Sequence, residues 1–426
     1  MVLKRKKLPL TCNDISIVFW HILIMSAIWQ SGLSIFEISG IGNIYLFRVV
    51  ILLSTAFIFH TYLLFPKRNV YYINILCLGG IFCISILSLF WSQYLITSVN
   101  KILNNIFIAI FIFELLMNST NKRVVNNILF AIAINLSVIC LIGIYEIFTG
   151  HYIFYGEYYF RTDIGLNYPI VSFANTNDLA GILILFYPII IAMLTNKKSR
   201  YCRILCIVYT LINIIVIIGS CARLGYIIVI IYAIYYILTA KNLILKAFFS
   251  LVSILSLITL FITSLGKLIW EQLFSVIDSI LSGAIFSDIR VEIIIKGIRS
   301  LEQSFWFGHG AGTSEYVIEK SSTKYVTTSA PHNLLLELGV EYGLVGAILL
   351  IFFFLFLFNQ LYNNRKLCSS NRDALSYNSA AMLGIMVFPI VSCMSASFTS
   401  YISFWLWFGT VSIIALRQSN IALMEH

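Results

Sequence analysis

The sequence predicts an all-α, polytopic integral membrane protein of about twelve transmembrane helices, with one large exterior loop between the ninth and tenth spans. Three observations lead there. Of 426 residues, 60% are hydrophobic and only 11% are charged, far more apolar than a soluble domain. Mean hydropathy is +0.93, and apolar runs of membrane-spanning length recur along the chain. Basic residues gather on alternate turns between those runs, as the positive-inside rule requires. Length alone would suggest two domains, but this pattern points to a single membrane domain over 1–426.

The spans fall at roughly 15–33, 44–65, 71–91, 101–118, 124–148, 178–195, 203–219, 224–240, 244–265, 336–358, 377–398 and 400–416. With the N-terminus inside, one face collects Lys4 to Lys7, Lys67, Arg68, Lys122, Arg123, Lys197, Lys198, Arg200, Arg203, Lys241, Lys246, Arg365, Lys366, Arg372 and Arg417. That is 18 of the 28 basic residues, although the other face holds the two longest loops. Both termini are therefore expected in the cytoplasm, and the net charge of +10 reports topology rather than nucleic-acid binding. The basic start precedes a long apolar run containing Trp20, His21 and Trp29 without a small-x-small cleavage site, so an uncleaved first span is expected. Nine cysteines form neither an exterior disulfide framework nor a zinc-like spacing.

Two exterior segments remain. Segment 149–177 contains Tyr152, Phe154, Tyr155, Tyr158, Tyr159 and Phe160, which suit an interfacial belt or a stacking surface for sugar rings. Its end, Asn175-Thr176-Asn177-Asp178, reads first as a cap for the next helix. Segment 266–332 is too long for a structureless loop and is expected to carry short helices. Within it Ser287 to Gln303 reads as one helix, with Glu292 and Lys296 as an i,i+4 pair. Helical spacing groups Glu292, Lys296, Arg299 and Gln303 on a polar face. Arg290, Ile294, Gly297 and Leu301 fall on an apolar one, so Arg290 is either a snorkelling side chain or the partner of a buried anion. The following Gly308-His309-Gly310-Ala311-Gly312 lacks the strand–loop–helix context of a phosphate cradle and reads as a tight turn.

The chain is organised around residues 330–346. A Pro331-His332-Asn333 lead-in, a short semi-polar helix containing Glu341 and a Gly343-x-x-Gly346 step place one titratable histidine at the mouth of a membrane helix. Arg223 occupies the short exterior turn between spans seven and eight, where no topogenic need calls for a positive charge. Arg48 lies in span two near the same face. Two guanidiniums near one apolar site need an anion, and forked donors match a lipid phosphate or diphosphate. A neutral histidine beside it could take the proton of a hydroxyl nucleophile. The implied reaction moves a group from a polyprenyl diphosphate to a hydroxyl, with His332, Arg290 and Arg223 catalytic. Asn333, Asn177, Asp178, Glu341 and Arg48 are the further candidate substrate-binding residues.

These pieces resemble the bacterial O-antigen polymerase and O-antigen ligase superfamily of membrane glycosyltransferases. The likeness runs from about Asn175 to the 350s. It rests on Asn177-Asp178-Leu179-Ala180, the Ser220-to-Gly225 turn, Arg290 ahead of Gly308-x-Gly310-x-Gly312, and Pro331-His332-Asn333 with Glu341-x-Gly343-x-x-Gly346. The resemblance implies that Arg223, Arg290 and His332 bind lipid diphosphate and activate the acceptor, in a metal-independent, sugar-inverting transfer without cofactor. Implied partners are a polyprenyl-diphosphate-linked oligosaccharide, membrane lipids and a chain-length regulator protein, in the bacterial cytoplasmic membrane with the active site outside. Polymerase is favoured over ligase, because no extra acceptor-binding domain is visible. A lipid-linked oligosaccharide transporter is the rival of another class, weakened by the absence of evident duplication between the halves.

Overall fold

The structure, a computed structural model, describes residues 12–29, 32–38, 42–64, 72–119, 121–154, 160–161, 166–173, 175–197, 199–239, parts of 243–254, 289–320, 330–394 and 398–425. Its architecture is all-α and membrane-spanning. Helices α1 (Cys12–Ile28), α2 (Leu46–Leu64), α3 (Tyr72–Leu87), α4 (Leu95–Met117), α5 (Lys122–Thr149), α6 (Thr176–Asn196), α7 (Arg200–Gly219) and α8 (Arg223–Thr239) form the first half. Helices α9 (Ile289–Gln303), α10 (Ser314–Lys320), α11 (Leu334–Leu367), α12 (Arg372–Ser392) and α13 (Ile402–Glu425) complete it. Two short antiparallel hairpins decorate the loops, β1 (Ser34–Ile38) with β2 (Gly42–Tyr45) and β3 (Phe160–Arg161) with β4 (Leu166–Asn167). Among the described residues six helices are long and apolar enough to cross a bilayer, and five shorter apolar helices accompany them. The expected span over 244–265 lies mostly outside the described residues, as do Lys4 to Lys7, Lys67, Arg68, Lys198, Lys241, Tyr155, Tyr158 and Tyr159.

Asparagine starts four of the long helices. Asn121, Asn175, Asn333 and Asn371 each sit in extended backbone and accept an N–H from the first turn of α5, α6, α11 and α12. Each such cap stabilises its helix by about 1 kcal/mol. Helix α6 lies at the centre, with α12, α7, α8 and α13 around it, and 83% of its apolar window is buried. Lipid is as apolar as leucine, so close packing rather than water exclusion holds such helices together. The chain accordingly puts glycine at crossings. A Cβ at Gly181 would meet Val391 at 3.2 Å, and one at Gly384 would meet the Trp407 ring at 3.0 Å. Phe388 stacks on Trp407 with centroids 5.4 Å apart, and the indole N–H reaches the Leu185 carbonyl at 3.0 Å, tying α12, α13 and α6 together.

Two elements depart from the sequence expectation. Helix α4 begins at Leu95 rather than 101, so Lys101 stands two turns inside it. Its first polar residues are absorbed by the loop, since the Ser98 hydroxyl, fully buried, donates to the Ala311 carbonyl at 2.9 Å. Helix α9 runs from Ile289 within the expected 287–303, and Lys296 meets Glu292 at 2.5 Å as the spacing required. The face it buries is different: Ile293, Lys296, Gly297, Ser300 and Leu301 are buried, whereas Ile294 is 40% exposed. A Cβ on Gly297 would lie 2.6 Å from Leu336, so α9 lies nearly backbone-close on the start of α11, and this contact sets its rotation.

Candidate active site

The local chain dictates the mouth of α11. Pro331 is buried and disfavours helix in the residue before it, and Asn333 then caps the helix, its Oδ1 accepting from Leu336 N–H at 3.1 Å. Between them His332 has φ 46°, the left-handed region that costs a non-glycine residue about 1–3 kcal/mol. His332 is half-buried there. The Asn333 amide also approaches Cys393 Sγ at 3.6 Å, which sets the end of α12 beside the histidine turn. Because Gly181 packs on Val391, the first turns of α6 reach the same end. Asp178, in that first turn, is fully buried, while the backbone N–H of Asn177 donates to the Asn175 cap at 2.8 Å.

The wall behind the mouth is polar and crosses three hundred residues of sequence. Glu337, one turn into α11 and 1% exposed, accepts from both the hydroxyl and the backbone N–H of Thr399. Lys101 of α4 stands 3.9 Å from Glu337 and donates to Ser400 Oγ at 2.8 Å. Glu315, at the rim on α10, is held above the usual carboxylate range by partial desolvation, reinforced by Glu337 and opposed by Lys101. Sequence reading missed Lys101, Glu337, Thr399 and Ser400. The signal for Lys101 was the one used for Arg223, a cation at the mouth end of a span, but it was read as the span's boundary.

Helix α11 breaks at Gly343, whose φ 73° and ψ −173° are non-helical. The break orphans the carbonyls of Val340 and Glu341, and the glycine-rich turn supplies their donors: His309 N–H to Val340 at 2.8 Å and Gly310 N–H to Glu341 at 2.9 Å. In exchange Leu344 N–H donates to the Trp306 carbonyl at 2.9 Å. The glycines follow from this backbone-on-backbone clamp. A Cβ on Gly308 would lie 2.5 Å from Gly343 N, and one on Gly343 would lie 2.3 Å from Trp306 O. The turn is thus structural, and His309 is engaged at its Nε2 with the Ser300 carbonyl at 2.9 Å.

The structure separates the predicted residues. His332 and Asn333 stand beside the end of α12, and Asn177 and Asp178 open α6, whose Gly181 packs on Val391 near that same end. Glu341, 1% exposed, lies one turn beyond Glu337 on the same face, within electrostatic reach of Lys101 and Glu337, and accepts from Ser314 Oγ at 3.0 Å beneath the glycine turn. Arg48 lies against α4, its guanidinium 5.8 Å from the Phe107 ring and 5.9 Å from Tyr45. Arg223 opens α8 after a three-residue turn, and Arg290 is the second residue of α9; their side chains lie outside the described residues. Of the aromatic segment, Phe154 packs on Trp29 with centroids 5.5 Å apart.

A family model described as O-antigen ligase matches residues 207–351. That segment contains Arg223, Arg290, the glycine clamp, the Gly343 break and His332. The teichuronic acid biosynthesis protein TuaE of Bacillus subtilis (strain 168) is 24% identical over 353 residues, covering 80% of this chain and 71% of the relative.

Proposed function

We propose, from the match of residues 207–351 to the O-antigen ligase family and the likeness to TuaE, that the chain polymerises a surface polysaccharide on the exterior face of the bacterial cytoplasmic membrane. The donor is a glycan on polyprenyl diphosphate and the acceptor is a hydroxyl of a lipid-linked repeat unit. His332 takes the acceptor's proton, the hydroxyl oxygen bonds to the anomeric carbon from the face opposite the leaving group, and the bond to the diphosphate breaks. Arg223 and Arg290 hold the departing diphosphate and neutralise its charge, a role for which the guanidinium fork is suited. The observation that carries this reading is the strained His332 at a helix mouth, backed by the Glu337–Lys101–Thr399 wall that fixes α11.

The description of the matching family favours a second reading, transfer of a finished glycan to lipid A core or protein. Both readings are tested with purified protein in liposomes given only lipid-linked repeat units, without nucleotide or metal. A ladder of extended chains supports the polymerase. Product formed only when a separate acceptor is added supports the ligase. Movement of the lipid across the bilayer with no new glycosidic bond would overturn both in favour of a transporter.

A further inference from the structure

A second polar chamber lies at the opposite end of the bundle from His332. The start of α5, the end of α6, the start of α12 and the late turns of α13 enclose a cavity of about 460 Å³. It is walled off from the mouth by the length of α5, whose 28 residues span about 40 Å. The lining carries three cations, Lys122, Lys197 and Arg417, against one acid, Asp373.

Positive residues at this end satisfy the positive-inside rule, but that rule asks only for charge in loops. Arg417 is different: it projects from a helix, is half-buried, and is steered by a hydrogen bond to Asn126 Oδ1 at 3.1 Å, a neutral acceptor. Asp373 stands near enough to influence it, yet no carboxylate of the described residues forms an ion pair with Arg417. A partly desolvated guanidinium facing a roomy chamber with two lysines and a single acid suits an anion. The volume is in the range of small-molecule sites rather than of a trapped water.

We infer that this chamber binds a phosphate-bearing anion. The fork of Arg417 and the point charges of Lys122 and Lys197 suit a phosphate group, and an excess of two positive charges in the lining suits a mono- or dianion. An anionic phospholipid headgroup and free inorganic phosphate are two sources of that group. Phe130, 48% exposed beside the chamber, offers an apolar flank along which an acyl chain could run.

The test is thermal unfolding of the purified full chain in detergent, titrated with phosphatidylglycerol, phosphatidylcholine, or inorganic phosphate balanced against chloride at equal ionic strength. Phosphatidylglycerol should raise the Tm and phosphatidylcholine should not. A rise with phosphatidylglycerol alone identifies a lipid source, and a rise with phosphate as well identifies a soluble one. The double variant Lys122→Gln/Lys197→Gln should shift the half-saturating concentration upward by about fivefold per lysine. Arg417→Gln should abolish the response, and Asp373→Asn should tighten binding. If Arg417→Gln fails to fold, the lysine pair and Asp373→Asn still decide the matter. Equal stabilisation by phosphatidylcholine, or wild-type titrations from the lysine pair and Asp373→Asn, would overturn the inference.

Discussion

Two turns of the segment before α11 each carry one histidine, and the structure treats them in opposite ways. The Gly308–Gly312 turn spends its backbone on the broken helix, and His309 is tied to Ser300. The Pro331–Asn333 turn is shaped by a proline before and a cap after, and it holds His332 in left-handed backbone. The first turn places strain-tolerant glycine wherever φ is positive between Gly308 and Gly312. The second keeps a histidine where glycine would be cheaper. Phe305 (φ 50°) and Trp306 (φ 67°), just ahead of the first turn, take the same backbone region, so what sets His332 apart is a titratable ring at the mouth of a helix.

The comparison breaks first on activity. His332→Ala should reduce cell-surface polymer synthesis by about 10²–10⁴-fold with normal membrane insertion, whereas His309→Ala should stay within several-fold of wild type. Equal losses would erase the distinction. The clamp side of the comparison is tested through stability. Gly343→Ala, at φ 73° and 2.3 Å from Trp306 O, should cost roughly 2–4 kcal/mol and lower the Tm, while activity per folded molecule is kept if the mouth is intact.

A smaller effect concerns the wall shared by both turns. Lys101→Met and Glu337→Gln should each destabilise, and the double variant should recover part of the loss, with a coupling of roughly 0.5–3 kcal/mol by thermal unfolding. Additive losses would mean that the 3.9 Å approach is incidental. The smallest effect distinguishes two roles for Asn333. As a cap it should tolerate Ser or Asp, with Ala costing about 1 kcal/mol of stability. Loss of transfer in a stable Asn333→Ser protein would make it a substrate ligand instead.

Particular residues show where sequence reading works. Hydropathy located the helices because bilayer thickness imposes a length on each. The Asn175 cap and the Glu292–Lys296 pair were legible because each depends on neighbours within a few residues, whereas the expected span 336–358 ran straight through the break at Gly343, which the glycine turn's backbone contacts sustain. The Lys101–Glu337–Thr399 wall was not, since its members come from α4, α11 and the loop before α13, and no local periodicity relates them. Lys296 was placed on an open polar face by spacing alone. Its burial follows from the approach of Gly297 to Leu336, a contact between elements that spacing cannot reveal. Glu341 was legible as a buried polar residue of this helix, but its neighbours Lys101, Glu337 and Ser314 come from three different elements, a grouping that could not be read from spacing.

Single-turnover chain extension by His332→Gln tests the account most directly, using purified protein, radiolabelled lipid-linked repeat units and neither nucleotide nor metal. Glutamine keeps size and hydrogen bonding but cannot accept the acceptor's proton. The variant should retain bound lipid-linked donor while extension falls by about 10²–10⁴-fold. His309→Gln under the same conditions should extend at nearly the wild-type rate. Full extension by His332→Gln would contradict the account, leaving its left-handed turn as a helix lead-in and removing the base from the mechanism.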